Sequence, residues 1–272
     1  STNATLEGEV FLVNAPIAGN IELTIDQEWT LSTSDLTLDG AQVILNINQD
    51  GGQISAVQMD IPKALNYVPL FEIPEKIQLN GLRADWSWGG TWDQWVLNFD
   101  TKNTALNYNG IAVPSLSCTG QWIWGAVPEL SIPSLALETN TGKITGSLEL
   151  KGDAPTLYTN LEGGSNLSEL FDFIETDLLV NPMGFWKGDN ISLTQGFRSW
   201  EDFTPVGNPI FKGDISFFEG AFALASSNIS FEKVEAELGI DGRNIQIDRC
   251  FLQSGENTAV VTGTIYNALE AD

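Results

Sequence analysis

The chain has 272 residues, 42% of them hydrophobic and 10% aromatic, enough for a core and too apolar for bulk disorder. Thirty-six acidic residues against 12 basic ones give a formal charge of −24, a field that repels phosphate backbones and anionic membrane surfaces and argues against nucleic acid as a partner. There is no histidine, which removes the usual general base near neutral pH, the Ser-His and Cys-His nucleophile pairs and the commonest zinc ligand.

Two cysteines, Cys118 and Cys250, are too few for a four-thiolate metal site. One disulfide and two half-buried free thiols both fit them. No run approaches ~18 uninterrupted apolar residues, so no helix is expected to span a membrane. No basic start is followed by an apolar segment, so no signal peptide is expected between Ser1 and the first strand. The chain is expected to be a mature form or a piece of something longer.

Period-2 alternation dominates from the N-terminus onward. Ile21, Leu23 and Ile25 alternate with Glu22, Thr24 and Asp26. Leu36–Asp39 and Val43–Asn48 follow, closed by the Asp50-Gly51-Gly52 turn signal. A short helix is expected over Pro62–Tyr67, with Pro62 in its first turn and Pro69 and Pro74 forcing an extended exit. Next comes a tryptophan-rich stretch, Asp85-Trp-Ser-Trp-Gly-Gly-Thr-Trp-Asp-Gln-Trp95. Read as a hairpin turning at Gly89-Gly90, it sets Trp88 opposite Thr91 and Trp86 opposite Asp93. Leu82, Ala84, Trp86, Trp88, Trp95, Leu97 and Phe99 then share one face, while Arg83, Asp85, Ser87, Trp92, Gln94, Asn98 and Asp100 share most of the other. Trp122 and Trp124 repeat the alternate spacing.

Further along, Leu130–Ile132 and Ile144–Leu150 read as strands. Leu167, Leu170, Phe171 and Ile174 fall at i, i+3, i+4 and i+7, predicting an amphipathic helix over 166–178. Asn166 and Glu169 are spaced as a capping pair, and Glu169 and Asp172 suit the N-terminal dipole. Ile191–Thr194, Val234–Ile240, Ile245–Asp248 and Val260–Ile265 are strands again, with a turn at Asp241-Gly242. One apolar and one polar face per strand belongs to antiparallel or singly covered sheets. The predicted fold is mainly β, residues 1–272 forming one elongated domain with helical breaks near 62–67 and 166–178. It is a long curved antiparallel sheet, a β-taco or open groove, with a β-sandwich as the other architecture that the same alternation can build.

Acidic pairs such as Asp26 and Glu28, Glu235 and Glu237, or Glu7 and Glu9 have glycosidase-like composition, but each lies opposite an apolar strand face, as a solvated face does. No EF-hand loop, acidic nonapeptide repeat or phosphate-binding glycine loop appears. The sequence therefore predicts no catalytic residue, no metal site and no cofactor, and a protein that is not an enzyme. The apolar aromatic face is either the wall of a core or the lining of an acyl-chain groove. A carbohydrate platform or adhesive β-sandwich using exposed tryptophans is the alternative, resting on Trp92, the tryptophan with polar neighbours.

Three segments together resemble the AsmA-like family of periplasmic proteins, the group that contains TamB and YhdP. They are Ile73-Pro74 through Trp88, with N-G-L-R-A-D-W-S-W; Pro114 through Leu161, with P-S-L-S-C-T-G-Q-W and L-S-I-P-S-L-A-L-E-T-N-T-G-K-I-T-G-S-L-E-L-K-G; and Gly213 through Asn267, closing on L-Q-S-G-E-N-T-A-V-V-T-G-T-I-Y-N. The likeness is one of texture and covers most of the chain. It implies a curved sheet with an apolar groove, a periplasmic or otherwise extracytoplasmic location, and carriage of phospholipid between the inner and outer membranes. The family's membrane anchor is not expected within these 272 residues, which are also far fewer than in bridging members of the family, and the resemblance therefore implies a fragment touching membranes only through missing segments or partner proteins. The implied ligand is phospholipid or another acyl chain. The groove candidates are Trp86, Trp88, Trp95, Leu97, Phe99, Ile132, Leu135, Leu137, Leu148, Phe217, Phe222 and Phe231, all apolar members of strand-like runs.

Overall fold

The computed structural model describes residues 2–12, 15–25, 28–38, 40–60, 77–78, 83–108, 111–173, 179–227 and 229–268. They form one 17-stranded sheet with a single short helix. The strands are β1 (Thr2–Leu12), β2 (Ala15–Ile25), β3 (Trp29–Leu38), β4 (Ala41–Asn48), β5 (Gly51–Asp60), β6 (Ile77–Gln78), β7 (Arg83–Thr91), β8 (Trp95–Tyr108) and β9 (Ile111–Trp124). After them come β10 (Glu129–Glu138), β11 (Lys143–Lys151), β12 (Thr156–Asn166), helix α1 (Leu167–Phe173), β13 (Leu179–Phe197), β14 (Pro205–Leu224), β15 (Ser230–Gly242), β16 (Asn244–Ser254) and β17 (Asn257–Ile265). The runs read as strands from sequence alternation fall inside these elements, except Asp26 and Asp39, which, like Leu82 of the tryptophan hairpin, lie outside the described residues. The expected helix at 62–67 lies outside the described residues, as do 174–178 of the second helix.

Nearly every strand pairs antiparallel with its neighbour in sequence, from β1 to β17. The exception is the two-residue β6, which pairs with β8 and leaves β5 to pair directly with β7. Among the described residues β1 and β17 are the two edges.

Most pairings contain a β-bulge. Four of these breaks hold a non-glycine residue at positive φ: Gln58 (55°), Asn181 (50°), Asn190 (54°) and Glu219 (54°). A bulge adds a residue to one strand, bends it and increases its twist. Repeated along the sheet, bulges give it curvature.

Among the described residues no second layer covers this sheet. A compact protein of 29.6 kDa exposes roughly 11,600 Å². This chain exposes 16,496 Å². Among the described residues Pro155 is the one larger side chain to reach near-complete burial. The buried hydrophobic cluster is small: Ala41, Val43, Ala56 and Met59, with Leu36, Leu38, Ile54 and Trp86 packed on it. The fold is therefore the open curved sheet and not the sandwich, in which a facing sheet would fill the space between the layers.

Helix α1 starts where β12 ends. The Asn166 side-chain oxygen accepts from the Glu169 amide at 2.9 Å, half of the capping box the spacing predicts. The other half is replaced. The Glu169 carboxylate accepts from the Thr139 and Thr141 hydroxyls at 2.6 and 2.7 Å, and the Asn166 amide donates to Thr141 Oγ1 at 3.0 Å. The cap thus ties the helix to the β10–β11 turn, while Leu167 is buried and α1 packs against β12 and β13.

Gly163 shows how tightly the ladder is drawn. It has φ +137°, and a Cβ there would collide with the Lys143 carbonyl oxygen on β11. Gly163→Ala should destabilise the protein by about 2 kcal/mol, measured as a lowered urea midpoint with an unchanged slope. Asn166→Ala, which removes the helix cap, should cost about 1 kcal/mol.

Candidate functional site

Residues directly opposite in antiparallel strands share a face, so the register shows which side chains lie together. One row runs unbroken across seven strands: Ile54, Trp88, Leu97, Trp122, Leu130, Leu150 and Leu157. Beside it runs Val43, Ala56, Trp86, Phe99 and Gly120. Ile132 sits opposite Leu148, and Leu135 between Cys118 and Gly146. Leu137 joins Leu116 to Ile144, and that row continues through Gly163, Gly188, Ile215, Leu238 and Ile247. Trp186, Phe217, Ala236, Cys250 and Val261 make a further row, with Phe222 opposite Phe231 beyond the bulge. All twelve groove candidates read from the sequence therefore stand on one face of one sheet. From β2 to β17, every charged residue with a cross-strand partner stands on the other.

The aromatic rings lie close to one another along this face. Trp95 stacks on Trp124 with centroids 6.1 Å apart, and Trp122 meets Trp124 edge-on at 5.9 Å. Phe222 and Phe231 meet edge-on at 5.4 Å. Polar indole atoms are tied to neighbours, Trp86 Nε1 donating to Met59 Sδ at 3.1 Å and Trp186 Nε1 to Ser165 Oγ at 3.0 Å. Glycines let the rings lie low. A Cβ at Gly120 would stand 2.5 Å from Phe99 Cζ, and one at Gly188 would stand 3.1 Å from the Trp186 ring. Gln195, the long polar side chain on this face, is buried and donates to the Gly196 and Val206 carbonyls.

The opposite face carries the charge. Lys151 pairs with Glu149, Lys187 with Asp189, Lys233 with Glu235 and Lys102 with Asp100, each two residues apart on one strand. The Lys233 ammonium beside Glu235 holds that carboxyl below its ordinary range, and the Glu149 carboxylate raises the Lys151 ammonium. A hollow of about 440 Å³ on β5–β9 includes Asp85 and Asp100 in its lining, but Gln58 donates twice to Asp85 and Lys102 engages Asp100. Among the described residues no group of three Cys, Asp or Glu side chains could hold a metal ion.

The tryptophan hairpin differs from its sequence reading. Gly89 and Gly90 do not form the turn. Trp88 faces Leu97, Trp86 faces Phe99 and Gly90 faces Trp95, with Thr91–Gln94 forming a wider turn. Two side chain–backbone bonds and one backbone bond select it: Gln94 N donates to Thr91 Oγ1, Trp92 Nε1 donates to the Gln49 carbonyl, and the Trp92 amide donates to the Asp50 carbonyl. Gly90 is needed in the strand, where a Cβ would clash with the Gln94 carbonyl. The register shift is even, so the two faces keep the composition read from the sequence. Trp186 went unnoticed because Phe185 and Trp186 are adjacent, and alternation alone does not say which points inward.

Cys118 and Cys250 are free thiols. They sit on β9 and β16, seven strands apart, and both belong to the apolar face. Comparison with protein-family models, with curated proteins and with solved structures finds no match.

Burial raises both thiol pKa values, with Asp100 adding to the rise at Cys118. A raised pKa means less thiolate at a given pH. Both cysteines should therefore react with Ellman's reagent at pH 8 more slowly than free cysteine, and faster once the protein is unfolded in urea.

Proposed function

We propose that the apolar face binds lipid acyl chains, and that the protein contributes to phospholipid transport between inner and outer membranes in an extracytoplasmic compartment. The observation that carries this reading is the segregation of the faces: a ladder of Leu, Ile, Phe and Trp continues across strand after strand, free of charge and uncovered by a second sheet. An acyl chain gains about 0.8 kcal/mol per buried methylene. Such a surface holds a tail through area and reads no headgroup. Membership of the AsmA-like family is part of the same proposal, resting on the texture of the sequence and on the open sheet. The carbohydrate reading depends on Trp92, whose indole N–H is already bonded to the Gln49 carbonyl and whose ring leans on Trp88 at 5.8 Å; the acyl-chain reading has the better support.

Native mass spectrometry of the purified chain, followed by lipid extraction, tests the proposal. Phospholipid should co-purify, and Leu97→Asp and Phe99→Asp should each remove most of it while circular dichroism stays β-dominated. Maleimide labelling of Cys118 should slow when the chain is loaded with phospholipid, because that thiol lies on the same face. A folded chain that carries no lipid, takes none from vesicles and shows no change in labelling would overturn the reading. Saturable quenching of tryptophan fluorescence by a glycan, lost in Trp92→Ala, would replace it with the sugar-binding alternative.

A further inference from the structure

We infer that one long rim of the sheet docks the chain on the headgroup layer of a zwitterionic phospholipid bilayer. The inference stands on the rim itself and does not require a tail bound to the apolar face. The contact is made by turns of this chain, whereas the one implied by the family resemblance runs through other segments.

The antiparallel meander sorts its connections onto two rims. Those after β2, β4, β7, β9, β11, β13 and β15 fall on one, and those after β3, β5, β8, β10, β12, β14 and β16 on the other. Every tryptophan and tyrosine exposed among the described residues is on the first rim. Trp29 (38% exposed) opens β3, Trp92 (52%) sits in the β7–β8 turn and Trp124 (43%) closes β9. Tyr158 is the third residue of β12, and Tyr266 follows β17. Phe203 (50%) joins them from the β13–β14 turn. The exposed aromatics elsewhere are Phe185 and Phe218, stacked on each other at 6.0 Å. Tryptophan and tyrosine, each with an apolar body and a polar tip, are the side chains that collect at the boundary between hydrocarbon and headgroups.

The rings are braced. Trp92 Nε1 donates to the Gln49 carbonyl, and the Trp29 amide donates to the Gln49 side-chain oxygen at 3.3 Å, so one residue joins two aromatic turns. Trp200 Nε1 donates to the Gly152 carbonyl at 2.9 Å, and its ring meets Phe203 edge-on at 6.2 Å. Side chains already held in place lose little entropy on docking.

Charge selects the surface. The same turns expose Glu28, Asp50, Asp93, Asp153 and Glu201, in a chain of charge −24. Carboxylates beside aromatic rings repel an anionic lipid surface. They match the ammonium groups of choline and ethanolamine headgroups, which aromatic faces also attract. The aromatics are strung along a rim from β3 to β17 and not gathered into the central cluster that a protein interface builds. A line of contacts fits an extended, planar partner.

Flotation of the 272-residue chain with phosphatidylcholine or phosphatidylglycerol vesicles tests this. The chain should float with phosphatidylcholine, its tryptophan emission quenched when that lipid is brominated near the top of its tails. Phosphatidylglycerol vesicles should bind it at least roughly tenfold more weakly. Trp29→Ala combined with Trp92→Ala, and separately Phe203→Ser, should each weaken binding to phosphatidylcholine vesicles roughly tenfold while circular dichroism stays β-dominated. Phe185→Ser combined with Phe218→Ser, away from the rim, should leave binding unchanged. A chain that does not float, that prefers phosphatidylglycerol, or that loses as much binding through Phe185 and Phe218 as through the rim would overturn the docking. A chain that strips lipid from vesicles without floating would overturn the docking and leave the acyl-chain reading in place; one that floats but carries no lipid would do the reverse.

Discussion

The pairing of each strand with its sequence neighbour is the constraint on which everything else in this molecule depends. With no second layer to pack against among the described residues, the backbone ladder and the contacts between adjacent side chains hold the sheet together. Side chains alternate with a period of two, so a slip of one residue would exchange the faces. The bulges are the places where this could fail, since each adds one residue. Between Gly188 and Ile191 the extra residue is absorbed at Asn190, in the left-handed region, and Ile191 returns to the face of Gly188. Glu219 does the same between Phe217 and Gly220. Curvature and the unbroken apolar face thus have one origin.

Charge then differentiates the faces without stabilising the sheet much. The lysine–carboxylate pairs lie at the surface, most along single strands and two, Lys143–Glu138 and Lys212–Asp241, between neighbouring strands, and exposed pairs contribute about 0–1 kcal/mol. Their effect is collective. A net charge of −24 raises the cost of stacking one apolar face on another copy's, because that approach brings two whole sheets together.

The architecture was legible in the sequence to the extent that it is local. Alternation at Ile144–Leu150 or Val234–Ile240 reports a strand with one wet face, and both the partner strand and its register follow from short turns. The face of each groove candidate was legible too, because parity survives errors in turn length: the hairpin turn shifted from Gly89-Gly90 to Thr91–Gln94 and the faces stayed. What was not legible was whether the apolar face is covered. Leu97 or Phe99 would look the same in a sandwich core and in an open sheet. The partner of Glu169 was equally hidden, because the Thr139 and Thr141 hydroxyls that engage it come from a turn 28 to 30 residues earlier.

An uncovered apolar face also links ligand to stability. In a β-sandwich the inner face of one sheet is desolvated by the other. Here rings laid over glycines, as Phe99 over Gly120 and Trp186 over Gly188, cover part of the surface from within the sheet, and the remainder stays in contact with solvent. Whatever binds that face completes the burial that a second sheet would have supplied. A ligand bound only by the folded chain stabilises it by mass action, about 2.7 kcal/mol at a hundred times its dissociation constant. On the acyl-chain reading, then, the tail is both cargo and missing layer. On the same reading the groove and the fold would be held by the same side chains, and the sheet would accept a ligand because the layer that would otherwise have stabilised it is missing among the described residues.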